Sequence, residues 1–376
     1  MAALAVAALS ARWLAESARR GGREAIALDI FGDVDTRRAA RAWLPIGEAS
    51  ALRIDGARFV GALREVADRC EGWVAGPGFE SLGSIAAAAA QCLPLLGNDR
   101  ETTARVRDPR RFFALLQTLG VAFPEVRWQA PTQPRGWLCK DPTGSGGWHI
   151  RRATDAAVPP PGAYFQREIA GLPASALFIA DGTRSAILGH NELLVTAHGA
   201  RPFVYRGAIG PIDLPGTLRV RLQAALDRIV AATALRGLGS FDFVCDGERF
   251  YALEINPRPS ATMALYDADY PQGLLAAHVA ACRRRELPAV RQARAVRAQA
   301  IVFAPRTVRV ARSEALLALG CRDVPPPGTM VPAGAPLCSV TAAASNAAQV
   351  RAELARRADR VIARVESETD ERCPTC

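Results

Sequence analysis

The first thirty residues alternate between apolar runs and a helix-like segment, and this alternation constrains the fold more than any other feature of the chain. Residues 2–9 form an apolar run typical of a buried strand, residues 10–20 have helical periodicity behind Ser10 as N-cap, and Gly21-Gly22 precede a second apolar run at residues 25–30. This order predicts a parallel βαβ unit and therefore an α/β fold. The turn after the first strand lacks G-x-G-x-x-G, which argues against nicotinamide or flavin chemistry.

The rest of the chain divides by composition, and 376 residues are enough for two or three packed units. We place one boundary near Gly97-Asn98 and a second change of composition from Pro288 onward. A strand at residues 73–75 runs into a tight loop at residues 76–80, which is either a substrate-contacting loop or a plain turn. Helices are predicted at residues 108–120, 218–235 and 346–365, strands at residues 300–303 and repeatedly between 137 and 255, and a turn at residues 325–327.

The net charge of +10 arises from 47 basic and 37 acidic residues, and reading the sequence shows that 46 of the 47 bases are arginine. The arginines are spread along the chain, so we expect no nucleic-acid partner, and their densest run, residues 283–297, is interpreted as a solvated connector. No run of 18 apolar residues lacks a charge or a breaker, which predicts a soluble cytoplasmic protein without a membrane partner. The nine cysteines predict no disulfide framework, and residues 373–376 are interpreted as a dispensable tail.

The strongest local signal is a strand, a glycine-rich loop and a returning strand at residues 137–150. Lys140, the single lysine, ends the first strand, and the loop contains Gly144, Ser145, Gly146 and Gly147. Glycines allow backbone N–H groups to approach a phosphate, and a compact ammonium adds a point charge. The lysine precedes the glycines and a strand follows them, so this is not a P-loop. A plain glycine-rich hairpin is the alternative, but one lysine retained among 46 arginines favours a task that a guanidinium cannot perform.

The second signal is a β-hairpin around Asp246-Gly247. Glu254 and Asn256 lie two residues apart and therefore on one face of their strand. A two-residue turn at Asp246-Gly247 would send Asp242 to the opposite face, whereas a three-residue loop, Asp246 to Glu248, would align all three side chains, and we predict the three-residue loop. Two carboxylates and an amide oxygen then suit Mg²⁺, or Mn²⁺, bound together with ATP phosphates. Two ordinary acidic residues on a sheet are the alternative.

The lysine with its glycine loop, followed by a D…E-x-N-P-R hairpin, resembles the ATP-grasp superfamily over most of the chain. Residues 323–337 are similar to the C-terminal domain of the branch related to biotin carboxylase, which includes predicted ATP-dependent carboxylate–amine ligases. The resemblance implies an α/β ATP-grasp architecture in three parts. These are an N-terminal βαβ parallel-sheet domain at residues 1–97, a central α+β ATP-binding catalytic domain at 98–285, and a small biotin-carboxylase-like domain with a loose tail at 286–376.

The resemblance also implies roles for individual residues. Lys140 would bind the α- and β-phosphates under a flap of Gly144, Ser145, Gly146 and Gly147. The hinge strand that holds adenine would include Gln166, Arg167, Glu168 and Ile169. Asp242, Glu254 and Asn256 match the metal ligands. Arg258, and less clearly Arg206, match the arginine that faces the γ-phosphate or the acyl group. Leu172-Pro173-Ala174 depart from the family pattern where relatives often carry an acidic residue, which leaves the ribose contact unassigned.

The implied activity is an ATP- and Mg²⁺-dependent ligation of a carboxylate to an amine through an acyl phosphate, in amino-acid or cofactor biosynthesis, with glutamyl amide formation as one suggestion. Its partners would be small-molecule carboxylates and amines, and a homo-oligomer is left open. Residues for biotin and bicarbonate cannot be placed, although an ATP-dependent carboxylase stays an alternative. A nucleotide-responsive ATP-binding protein without turnover is another. The four histidines lack metal-ligand spacing, and His149, beside the flap, is the single histidine considered for the site.

Overall fold

The computed structural model describes residues 2–79, 83–155 and 158–370. Its N-terminal part is a four-stranded parallel sheet in the order β3-β2-β1-β6, which confirms the predicted βαβ start. The elements of this part are β1 Ala3–Ala7, α1 Arg12–Arg20, β2 Ala25–Asp29, α2 Val34–Ala39, β3 Ala42–Pro45, β4 Gly47–Glu48, β5 Arg53–Ile54, α3 Gly56–Val66, β6 Cys70–Ala75 and α4 Gly83–Cys92. The predicted loop at residues 76–80 follows β6, and its last residue lies outside the described ranges.

The start of helix α1 differs from the prediction. Ala11, not Ser10, precedes the first helical residue, and the Ser10 hydroxyl donates instead to the Asp323 carboxylate at 3.0 Å. The N–H of Ala11 is satisfied by Asp29 at 3.0 Å. The prediction of Ser10 as N-cap was therefore wrong, because a carboxylate far along the chain competes for its hydroxyl.

The central part contains a small antiparallel sheet in the order β7-β10-β8-β9 and most of a large one. Asp108 caps helix α6 through the N–H groups of Arg110 and Arg111, as the Asp-Pro pair predicts. The elements are α5 Arg100–Arg107, α6 Pro109–Thr118, β7 Val126–Arg127, β8 Trp137–Lys140, β9 Ile150–Arg152, β10 Tyr164–Arg167, β11 Leu172–Asp181, β12 Ser185–His198, β13 Arg201–Gly210, α7 Gly216–Thr233, β14 Arg236–Asp246, β15 Arg249–Asn256 and α8 Gly273–Arg284.

The large antiparallel sheet has the strand order β15-β14-β11-β12-β13-β16-β19 and continues past the predicted boundary at residue 286. Strand β16 pairs with β13, so the C-terminal segment extends the central sheet. The C-terminal elements are β16 Val296–Phe303, β17 Val308–Arg309, α9 Ser313–Ala318, β18 Met330–Val331, β19 Pro336–Ala344 and α10 Ala347–Asp370. The turn predicted at residues 325–327 forms at Pro327-Gly328, and residues 373–376 lie outside the described residues.

Helix α7 packs its apolar face on the large sheet. Leu218, Leu222, Leu226 and Ile229 recur at helical spacing, are fully buried, and share a core with aromatic residues of β14. This core fixes the position of the strand that carries Asp242. Nowhere in the described ranges is a helix long and apolar enough to cross a membrane.

Two side-chain predictions have different outcomes. Buried His278 has the structural role expected of it, since its Nδ1 accepts from Leu238 at 2.9 Å and its Nε2 lies 2.8 Å from the Leu96 carbonyl. The arginine run at residues 283–297 is not wholly solvated. Arg297, the last of the run, lies in β16 and forms a two-pronged ion pair with Asp269, so the interpretation of this residue was wrong.

Candidate functional site

The acidic hairpin aligns its three polar side chains by a route that the sequence did not predict. The turn has two residues, Gly247 and Glu248, and Asp246 pairs with Arg249. An irregularity between Asp242 and Phe243 then shifts the register by one residue, so that Asp242 stands opposite Glu254. The prediction of a shared face is confirmed, whereas the prediction of a three-residue loop was wrong. A β-bulge, not the loop, supplies the extra residue.

Asn256 joins the two carboxylates of this face. Its Nδ2 lies 3.3 Å from the Asp242 carboxylate and 3.2 Å from that of Glu254. Burial, followed by the charge of Glu254, raises the pKa of Asp242 well above its usual range. Burial also acts to raise the pKa of Glu254, but Arg107, His149 and Lys140 outweigh it and lower that pKa to about 2. Glu254 is therefore the carboxylate that ionises first.

Lys140 ends β8 with its side chain 6% exposed, in the wall of the cavity that the acidic hairpin also lines. Among the described residues, no hydrogen bond or ion pair engages its ammonium. Burial lowers the pKa of Lys140 to about 8, although Glu254 and Asp242 act in the opposite direction. A buried cation without a direct partner is costly, and an anion in the cavity would offset that cost.

Arg107 is a functional candidate that sequence reasoning missed. It ends α5 and donates through NH1 to Glu254 at 3.1 Å and to the Asn256 Oδ1 at 3.4 Å, and through NH2 to the Gly144 carbonyl at 3.4 Å. It therefore links the glycine loop to the acidic face. One arginine among 46 gave no signal in the sequence, because its role depends on where α5 docks.

The flap, residues 144–147 in the loop between β8 and β9, lies against strand β13. The Gly146 carbonyl accepts from the N–H of Tyr205 at 3.0 Å. A Cβ placed on Gly147 would lie 1.8 Å from the Phe203 carbonyl oxygen, and the backbone of Gly147 has a φ of +78°. Only glycine permits this approach. His149, beside the flap, has a buried Nδ1 without a hydrogen-bond partner in the described structure.

The predicted hinge residues Gln166, Arg167, Glu168 and Ile169 all line the same cavity. Gln166 is 1% exposed, and its Nε2 finds no acceptor among the described residues. Glu168 pairs with Arg152 at 2.7 Å, while Arg167 lies over the ring of Trp137. Gln166 thus offers the cavity an unused buried donor, which suits a polar ligand such as a nucleotide base.

The two candidate arginines lie in different surroundings. Arg258 lines the cavity, and its NH2 group donates to the Asn256 Oδ1 at 3.3 Å. Arg206 places its guanidinium 4.1 Å from the centre of the Phe303 ring and is not part of the cavity wall. The structure therefore brings Arg258 to the acidic face and leaves Arg206 outside it, because alternate residues of β13 point to opposite sides of the sheet.

The cavity has a volume of about 1580 Å³ and lies where the three parts of the chain meet. It is large enough for a nucleotide and a further small molecule. No group of three His, Cys, Asp or Glu side chains suited to a metal occurs among the described residues. Two carboxylates with one amide oxygen fit a hard divalent cation that takes its remaining ligands from phosphate and water. The residues present therefore fit ATP with Mg²⁺ or Mn²⁺.

Comparison with known proteins agrees with this geometry. Residues 106–262 match the family model described as an ATP-grasp domain. Among solved structures, the chain is similar to an L-amino acid ligase from Bacillus licheniformis, with a TM-score of 0.70, 14% identity, and coverage of 96% of this chain and 97% of the ligase. It is similar to biotin carboxylase from Campylobacter jejuni, with a TM-score of 0.69, 14% identity, and coverage of 93% and 89%.

A third similar structure is N5-carboxyaminoimidazole synthase from Aspergillus clavatus, with a TM-score of 0.68, 13% identity, and coverage of 95% of this chain and 99% of the synthase. No curated protein shows significant sequence similarity to the chain. The structural likenesses establish the fold, and the family match identifies the domain that holds Lys140 and the acidic hairpin. Residues 106–262 therefore form an ATP-grasp domain.

Proposed function

We propose that the protein is an ATP- and Mg²⁺-dependent ligase that joins a small-molecule carboxylate to an amine through an acyl phosphate. The observation that carries the proposal is that an unpaired buried ammonium, on Lys140, and the face of Asp242, Glu254 and Asn256 line one cavity. Positive and acidic groups placed in this way suit phosphoryl transfer, in which catalysis is mostly positioning and charge neutralisation.

In this proposal Lys140 binds the α- and β-phosphates, the flap covers them, and the hinge residues hold adenine.

Asp242, Glu254 and Asn256 hold Mg²⁺, or Mn²⁺, which when bound supplies charge neutralisation at the phosphates. The Asn256 side chain has its Nδ2 toward the two carboxylates, so its amide group must rotate before the oxygen can join a metal. Arg258 orients the γ-phosphate or the acyl group, and Arg107 keeps Glu254 ionised and the flap close.

The first experiment measures ADP release from ATP in a matrix of carboxylates and amines, each tested alone and in pairs. Amino acids, including glutamate, form one axis and primary amines the other. The ligase proposal expects ADP only where a carboxylate is present and a stable product only where both are present. ADP release with bicarbonate and no other carboxylate would favour a carboxylase. ATP binding without ADP release for any pair would favour a nucleotide-responsive binding protein.

Gly147→Ala tests the role of the flap. The new methyl group would collide with the Phe203 backbone, which cannot yield as a flexible side chain would. We expect the flap to leave β13 and ATP affinity to fall about tenfold, which corresponds to roughly 1.4 kcal/mol. Titration of ATP, followed by turnover at saturating ATP, measures the effect.

Gly146→Ala is the matched control for that variant. Gly146 also has a positive φ, +62°, but its Cβ would come no nearer than 3.5 Å to the Trp148 ring. Both substitutions impose backbone strain of about 1–2 kcal/mol, and only the one at position 147 adds the collision. Equal losses in the two variants would mean that strain alone matters and that contact with β13 does not.

A further inference from the structure

The end of the cavity bordered by the N-terminal part differs from the end that contains Lys140. Its wall is mostly apolar and includes Leu9, Phe31, Leu52, Ile54 and Ile85. One buried acidic side chain, Asp33, also lines this end, just before helix α2. Nothing in the nucleotide chemistry described above uses this group.

Asp33 belongs to a group of four aspartates where the N-terminal sheet meets the C-terminal segment, and the other three have partners. Asp29 accepts from the N–H groups of Ala11 and Gly32 and from the Trp43 indole. Asp35 accepts from the backbone N–H groups of residues 323 and 324. Asp323 accepts from Ser10 and Arg12. These three carboxylates are therefore satisfied within the protein.

Asp33 is the exception. Its side chain is 3% exposed, and no hydrogen bond or ion pair holds its carboxylate among the described residues. It occupies the N-cap position of α2 without making the capping bond. Arg12, the cation within this group, already bonds Asp323 and Glu16 and lies 3.5 Å from Asp35. Burial, then the charges of Asp323, Asp29 and Asp35, raises the pKa of Asp33 well above its usual range.

We propose that Asp33 is the counter-ion for the ammonium group of an amino substrate whose remaining body is apolar. A buried carboxylate without a partner is costly in the empty protein, and a protonated amine is the complementary ligand for it. The apolar side chains around it suit a hydrocarbon or aromatic body. A metal ion is not favoured, because the neighbouring carboxylates are committed to backbone and arginine donors. The inference rests on the proposed ligase function and specifies one of its substrates.

Direct binding measurements keep this inference separate from the ligase proposal. The full-length protein, saturated with Mg²⁺ and a non-hydrolysable ATP analogue, is titrated calorimetrically at pH 7 with benzylamine and hexylamine. The neutral counterparts are benzyl alcohol and hexan-1-ol. We expect the amines to bind at least about tenfold more tightly than the alcohols, because hydrogen bonds between charged groups are the stronger ones. This preference can be observed whether or not ADP is released, so either proposal can fail without the other.

Asp33→Asn removes the charge while keeping the shape and the capping ability of the side chain. We expect the preference for amines over alcohols to disappear and the melting temperature of the empty protein to rise, since an unpaired buried charge is lost. Asp68→Asn, at a side chain that is 83% exposed, is the control and should retain the preference. Equal binding of amines and alcohols by the unaltered protein would overturn the proposal. So would an Asp33→Asn variant that melts at a lower temperature and still prefers amines.

Discussion

Lys140→Arg is expected to lower ATP turnover by about 10²–10³-fold, the cost of removing one preorganised group that stabilises developing charge. Lys140 is buried at the end of β8, where it lines the cavity together with the acidic hairpin. A guanidinium is planar and longer, so it would present its charge at a different position in the cavity. Measurement of kcat and of ATP affinity tests this expectation, with thermal denaturation to show that the variant is folded.

The pH dependence of ATP affinity distinguishes the lysine from any other cation in the cavity. Burial lowers the pKa of Lys140 to about 8, so its side chain carries a positive charge below that pH and is neutral above it. ATP affinity of the unaltered protein should therefore weaken as the pH rises through about 8, and Lys140→Arg should lack this fall because arginine stays charged. Arg151→Lys, at an exposed position of β9, controls for the exchange of the two residue types. Full affinity and turnover in Lys140→Arg would show that the solitary lysine is an accident of composition.

The sequence was most informative where chemistry and spacing coincide in neighbouring residues. The parallel N-terminal sheet follows from local apolar periodicity, and the lysine, the glycine loop and the acidic hairpin are short motifs within single supersecondary units. Their presence in one cavity also agrees with the family resemblance. The chemistry that is held within one strand pair or one loop was therefore accessible before the structure, whereas the exact register of the acidic hairpin was not.

Most of the features that the sequence did not reveal depend on contacts between distant segments. Arg107 acquires its role because α5 docks beside β15, and Ser10 is drawn from its capping position by Asp323. The bulge beside Asp242 changes the register of the hairpin, and the residues of the turn do not indicate this change. The family resemblance suggested Arg206 for the site, less clearly than Arg258, yet Arg206 packs on Phe303. Local patterns identify which chemistry is present, whereas long-range packing decides which individual side chains reach it.

The second large effect is expected at the acidic face, where Asp242→Asn and Glu254→Gln should each lower turnover by about 10³-fold if they hold the metal. The two variants should shift stability in opposite directions. The carboxylate of Asp242 has a raised pKa, so its charge opposes folding at neutral pH and its removal should raise the melting temperature. Glu254 has a pKa lowered to about 2 and pairs with Arg107, so its loss should lower the melting temperature at neutral pH.

The double variant tests whether the two carboxylates act as a unit. If both hold one metal ion, removing the second should add little to the loss caused by the first, because groups that act together are strongly non-additive. Asp246→Asn, at the exposed end of the same hairpin, is the matched control and should retain turnover. Independent, multiplying losses would contradict a shared metal. The size of the stability effect of Glu254→Gln also depends on pH, since the stabilisation from Glu254 is present above the ordinary glutamate pKa and fades as the pH falls toward 2. The melting temperature of Glu254→Gln should therefore approach that of the unaltered protein in acid. This convergence is expected if the Glu254 carboxylate stabilises the fold through its ion pair with Arg107.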